Sequence, residues 1–158
     1  AVEALPNQKA KVYFLMLLYM GFRSSEALTL EWSSVNMKDK TITALDTKNH
    51  SDHTLPIPKA LFPHIKDLHD LTGGHRWVFA GEDPIKAMTV PKKQITTIIN
   101  ETAIEFSSHD LRRTFGLNLI KQGMSIYKVS KLLGHSSVRT TEQHYAPLLT
   151  VEIEDFEL

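Results

Sequence analysis

Cysteine is missing from all 158 residues, which excludes a disulfide framework and all thiolate chemistry and fits a reducing compartment. An excess of either charge is missing too. The 18 basic and 18 acidic residues cancel, so affinity for a phosphate has to come from local placement, not from a global field. The longest apolar run, Val12 to Met20, has nine residues, against the roughly 18 that a spanning helix needs. No signal peptide precedes it. The chain therefore reads as cytoplasmic and without a membrane partner. No glycine-rich loop carries the lysine and hydroxyl that cradle a nucleotide, so ATP is not implied. The eight histidines include no i,i+4 pair with a nearby catalytic glutamate, and without cysteine a metal site is not expected; the reading assigns no cofactor.

What is present is a 42% apolar chain of one domain's length, long enough to bury roughly two thirds of its unfolded surface around a single core. It opens on Ala1 and not on methionine, which reads as a piece cut from something longer. Pro6 opens "NQKAKVYFLMLLYMG", apolar on most faces as a buried helix would be, and Gly21 stops it. Ser24 or Ser25 is placed to cap a short helix "SEALTLEW" with Leu28 and Trp32 inward. From Val35 the period changes: "KTITAL" and "HTLPIP" are short alternating or β-branched runs around the polar turn "DTKNHSD" that carries Lys48. The second half reads as helical: "PKALFPHIKDLHDLT", bent near Pro63; "PKKQITTIINETA" after the buried-looking "WVFA"; a helix from His109 to about Gln122 capped by Ser108; "IYKVSKLL" capped by Ser125 and ended by Gly134; and a last helix with Thr140, Thr141 and Tyr145. The expected class is α+β, mostly helical, with a small antiparallel sheet near the N-terminal side.

In "SSHDLRRTFGLNLI", His109 and Arg112 lie three apart and share a helix face. They sit at the end that carries the unpaired N–H groups and partial positive charge, a seat suited to a phosphate. The plainer alternative pairs Arg112 with a buried carboxylate. Arg23 stands in the joint between two helices, with Glu26 three residues on to hold its guanidinium. An arginine fork matches two phosphate oxygens better than lysine does, and the alternative is a surface ion pair. "LLGHSSVRTTEQHYAPL" adds His135 behind a helix-ending glycine and Tyr145 near the start of the tail.

Taken in order, "GFRSSEALTLEW", "TKNHSDHTLPIP", "HDLRRTF" and "LLGHSSVRTTEQHY" resemble the catalytic domain of the tyrosine recombinases, the phage integrase family, over nearly the whole chain. The resemblance implies a single catalytic domain over 1–158, with the family's N-terminal DNA-binding domain absent from this chain. It implies site-specific cleavage and rejoining of double-stranded DNA through a 3′-phosphotyrosine, without metal or ATP, by a homotetramer on DNA that associates weakly or not at all alone. Arg23 and Arg112 would clamp the non-bridging oxygens of the scissile phosphate, with Glu26 supporting Arg23. Tyr145 would attack phosphorus. Lys48 would protonate the departing 5′ oxygen, and His109 and His135 would hydrogen-bond the phosphate and assist proton transfer. One departure stands out: Tyr145 is one position further from His135 than in many members, where His144 stands here.

Two rival readings differ in what they leave unexplained. "NLIKQGMSIYKVSKLLGHSSVRTTEQHY" also scans as a helix-turn-helix, a DNA-binding regulator with no chemistry, which leaves Arg23, Lys48 and His109 without a role. A type IB topoisomerase-like relaxing enzyme shares the chemistry, but the short hairpin and compact length fit integrases better. The acidic tail "VEIEDFEL" alternates glutamates with Val151 and Ile153 and adds Phe156 and Leu158, a pattern expected to dock on its own domain or a neighbouring protomer.

Overall fold

The structure, a computed structural model, describes residues 1–44 and 52–149. After a 3-10 turn at Val2–Ala4, α1 (Gln8–Met20) starts at Asn7, whose side chain accepts the Ala10 N–H, and ends at Gly21 in the left-handed region at φ 66°. Gly21 is required there twice over, because a Cβ would also run into the Phe115 ring. α1 is the spine of the core. Ala10, Val12 to Leu17 and Met20 are buried on it, consistent with an apolar run that leaves no solvent face.

Next come α2 (Ser24–Leu28), a 3-10 turn at Trp32–Ser34, β1 (Val35–Asn36), β2 (Thr41–Ala44) and β3 (His53–Pro56). The three strands form one antiparallel sheet in sequence order, with Val35 opposite Ile42 and Ile42 opposite Leu55. Buried Ile42 and Leu55 are its contribution to the core. The helical half follows: α3 (Phe62–Thr72), α4 (Lys92–Thr102), α5 (Ser108–Lys121), α6 (Ile126–Leu132) and α7 (Val138–Leu149). The α+β, mostly helical class expected from the sequence is the class observed.

Local details differ where a neighbour outcompeted a local signal. α2 stops at Leu28, short of Trp32, and begins after Arg23, whose backbone N–H donates to Glu26 Oε2 at 2.8 Å. That bond makes Arg23 itself the residue before the first turn, in place of Ser24 or Ser25. Pro63 does not bend a helix; it lies in the first turn of α3, where its missing N–H costs nothing. α5 is capped by Ser107, one residue before the expected Ser108, because Asp110 reaches back to accept both the Ser107 N–H at 2.9 Å and its hydroxyl at 2.6 Å. Those bonds hold the Asp110 carboxyl below its ordinary pKa. The strand β1 was not legible at all, being two residues long.

Candidate active site

The site forms where four helix ends meet. The joint between α1 and α2 supplies Gly21, Arg23 and Glu26, the first two turns of α5 supply His109 and Arg112, the end of α6 supplies Leu133 to His135, and α7 supplies Thr141, His144 and Tyr145. Arg112 is buried, 5% exposed, and its guanidinium donates from Nη1 to the Gly21 carbonyl at 2.5 Å and from Nη2 to the Leu133 carbonyl at 2.5 Å. Both acceptors are helix-end carbonyls that have lost their intrahelical partners. A guanidinium has five N–H donors, so Arg112 keeps donors in reserve after the two anchors are made. The plainer expectation for Arg112, a buried carboxylate partner, is met only loosely: Glu26 Oε2 lies 3.9 Å away.

Glu26 spends its other oxygen on Arg23, whose Nη1 donates to Oε1 at 2.5 Å while its Nη2 reaches the Gly134 carbonyl at 3.3 Å. Arg23 and Glu26 are therefore an i,i+3 pair, but a half-buried one folded toward α6 and not a free surface bridge. Two guanidiniums share one carboxylate. Burial, then the charge of Arg23, lowers the Arg112 pKa to about 10, opposed by Glu26 and Tyr145. Arg112 stays cationic at neutral pH, and the repulsion between the pair is relieved by any anion placed between them.

His135 is half-buried, and its Nδ1 pairs with the buried Thr141 hydroxyl at 2.7 Å. Burial, then Arg112, Arg23, His144 and His109, lowers its pKa to about 4, so it is neutral at pH 7. The neutral ring carries one N–H, and its Nδ1 is committed to the Thr141 hydroxyl, which leaves Nε2 as the ring's other polar atom. A depressed histidine pKa carries a sign: the unfolded chain binds the proton below about 6.5 and the folded one only below about 4. Stability should fall as the pH drops from about 6.5 toward 4, and His135→Asn should flatten that segment in urea unfolding measured across this window. An unchanged slope would show that His135 is not held neutral by the fold.

His109 stands exposed on the first turn of α5, its ring 6.3 Å from that of His144, which in turn lies 6.4 Å from His135. His144 Nδ1 donates to the Thr140 carbonyl at 2.8 Å. Three imidazoles thus ring the two arginines. Among the described residues, no group of three or more His, Asp or Glu is placed to hold a metal ion.

Tyr145 is not at the start of a tail. It lies two turns into α7, 2% exposed, in a small cluster with Val129 and Leu133 against Phe115. Its phenol packs on Gly116, where a Cβ would come within 2.5 Å of Cζ, so only glycine leaves room for the ring. Burial raises the phenol's pKa, opposed by Arg112 and Arg113. The extra residue between His135 and Tyr145 has a structural outcome: His144 occupies the histidine ring while Tyr145 packs inward on α5, one turn beyond Arg112.

Lys48 lies in 45–51, and the tail 151–158 likewise lies outside the described residues. The sequence reading missed Thr141 as the partner of His135 and Gly116 as the seat of the phenol. Thr141 follows His135 by six residues across a helix break, a spacing with no helical meaning. Gly116 sits mid-helix, where a glycine costs about 1 kcal/mol against alanine, and that cost was a usable signal.

A family model described as the phage integrase family matches residues 3–150. The chain belongs to the phage integrase family. Tyrosine recombinase XerA of Pyrococcus furiosus is 28% identical to this integrase-family chain over 148 residues, covering 89% of the chain and 52% of XerA. The chain thus spans about half the length of the curated relatives it matches. The catalytic domain of bacteriophage HP1 integrase superposes with a TM-score of 0.62 at 24% identity, covering 91% of this chain and 81% of that one. XerH recombinase in a pre-cleavage complex with difH substrate superposes at a TM-score of 0.75 and 18% identity, covering 93% of this chain and 48% of that one. The fold is that of a tyrosine recombinase catalytic domain. The helix-turn-helix regulator is set aside by the family match, which takes in the Arg23 and Arg112 segments together with α6 and α7. No helix among the described residues is long and apolar enough to cross a membrane.

Proposed function

We propose that this chain is the catalytic domain of a site-specific DNA recombinase that cuts and rejoins strands through a phosphotyrosine at Tyr145. The observation that carries this reading is the pair of guanidiniums: a buried Arg112 beside Arg23, sharing Glu26 and held by backbone carbonyls, with donors left over for one anion. Such fixed donors act where charge develops, on the non-bridging oxygens of a pentacoordinate phosphorus. His135, neutral and held through Nδ1 by Thr141, and exposed His109 add hydrogen bonds to the same group.

In the forward step the Tyr145 oxygen bonds to phosphorus, the P–O5′ bond breaks, the phenol passes its proton to His109, and the 5′ oxygen takes one from Lys48. Religation is the reverse, so the phosphotyrosine conserves the bond energy. Named homologues are tyrosine recombinases, and a structural neighbour is seen on its DNA substrate. In this reading, which rests on the resemblance of the sequence motifs, the working assembly is a tetramer on duplex DNA in which further protein, beyond residues 1–158, grips the duplex. Zero net charge supports a need for that help, since backbone affinity comes from clustered lysine and arginine.

The test is covalent capture. A library of nicked suicide duplexes of randomised sequence is incubated with the protein, denatured and digested, and the Tyr145 peptide is weighed for an attached 3′-nucleotide. A phosphotyrosine there is the expected result, and DNA held without any covalent adduct would overturn the reading. For Lys48, general-acid loss costs about 10² to 10⁴ in rate on normal DNA. Lys48→Ala should recover nearly fully when sulfur replaces the bridging 5′ oxygen, because that leaving group needs no proton. Equal slowing on both substrates would make Lys48 a binding residue and move the acid to His109 or His135.

A further inference from the structure

Tyr13 lies in the middle of α1, 0% exposed, with its ring edge-on to Phe14 at 5.2 Å and to Phe79 at 6.0 Å. Its hydroxyl is the unusual part. It bonds Ser24 Oγ at 2.7 Å and Ser108 Oγ at 3.0 Å. Ser24 is the first residue of α2, next to Arg23, and Ser108 the first residue of α5, next to His109. A phenol has one proton to give and lone pairs to accept with, so one hydroxyl serves both serines at once.

We propose that Tyr13 is a positioning residue that locks the starts of α2 and α5 together, and with them the spacing of Arg23 from His109 across the phosphate seat. The proposal rests on reading Arg23, His109 and Arg112 as phosphate ligands. Arg112 is anchored independently by the Gly21 and Leu133 carbonyls, on one side of the seat. Arg23 and His109 have no such anchor in common; their helices are tied on this side by the Tyr13 bridge, made of short hydroxyls at the edge of the core and not of flexible charged chains. Ser24 and Ser108 are only half-buried, so on loss of the phenol oxygen both can turn to water and the helix starts can drift. A misplacement of about 1 Å in a substrate-positioning group costs on the order of 100-fold in rate.

The variants are Tyr13→Phe, which keeps the ring in its aromatic contacts, Ser108→Ala, which opens the bridge from the other end, and Ser108→Thr, which retains a hydroxyl. On a duplex recovered by covalent capture, the first two should slow attachment at saturating DNA by about 10- to 100-fold with little change in non-covalent affinity. Ser108→Thr should stay near the unmutated rate. In parallel, the unmutated chain is titrated with inorganic phosphate while the Arg23 Nε–H and His109 ring signals are followed by NMR. The two should follow one binding curve, whose midpoint Tyr13→Phe moves to several-fold higher phosphate. An unmutated rate and an unmoved midpoint in Tyr13→Phe would overturn the proposal. So would a rate defect that disappears on cooling to where the variant is fully folded, since that marks packing alone. If Tyr13→Phe fails to fold, Ser108→Ala at its half-buried helix start decides the matter. If the unmutated chain forms no adduct, the recombinase reading fails instead, and the phosphate titration still judges the bridge.

Discussion

Tyr145→Phe is expected to abolish covalent attachment to DNA, a loss on the order of 10⁴-fold or more, as for removal of other enzymatic nucleophiles. The variant should nevertheless fold and bind DNA. Its ring is what fills the space over Gly116 and contacts Val129 and Leu133, and that ring remains, so the melting temperature should move by only a few degrees. Two other tyrosines are poorly placed to take its part. Tyr13 is buried with its hydroxyl engaged twice, and Tyr127 is exposed on α6. Gel-shifted DNA that survives denaturation of the variant would place the nucleophile elsewhere.

Arg112→Ala should be costly in two separable ways. The side chain satisfies the Gly21 and Leu133 carbonyls from a nearly dry position, and orphaned acceptors of this kind, with the cavity left behind, cost about 2 to 4 kcal/mol in urea unfolding. The anchor also joins the ends of α1, α5 and α6, so the loss should appear as a lower midpoint with an unchanged slope. Catalysis should fall further, by about 10² to 10³ for the lost oxyanion donors, when measured below the variant's melting temperature. Arg112→Lys should recover part of the stability and little of the rate, because an ammonium cannot hold two divergent carbonyls and still present a fork to the phosphate. A lysine variant at full rate would remove Arg112 from the clamp.

His144 marks the boundary between a local and a global reading. In sequence the motif resemblance would put the tyrosine at its position, and only the packed molecule shows the consequence: His144 joins His109 and His135, and Tyr145 turns inward. Helix phase along a single element gives about 100° per residue, enough to say that the two cannot share a face. It does not say which of the two meets the neighbouring helix.

The sequence by itself determined whatever depends on nearest neighbours along the chain. The left-handed stop at Gly21, the Ser125 cap on α6, the α+β class and the ordered motifs around Arg23, Arg112, His135 and Tyr145 were all legible from it, because capping, period and spacing are short-range physics. The tertiary structure alone decided which groups complete one another across distance. Arg112 rests on carbonyls 91 and 21 residues away, and the Tyr13 hydroxyl reaches Ser108 across 95. Such pairs are selected when the core closes and each buried polar atom must find a partner among whatever the packing has brought near, a condition no local pattern encodes.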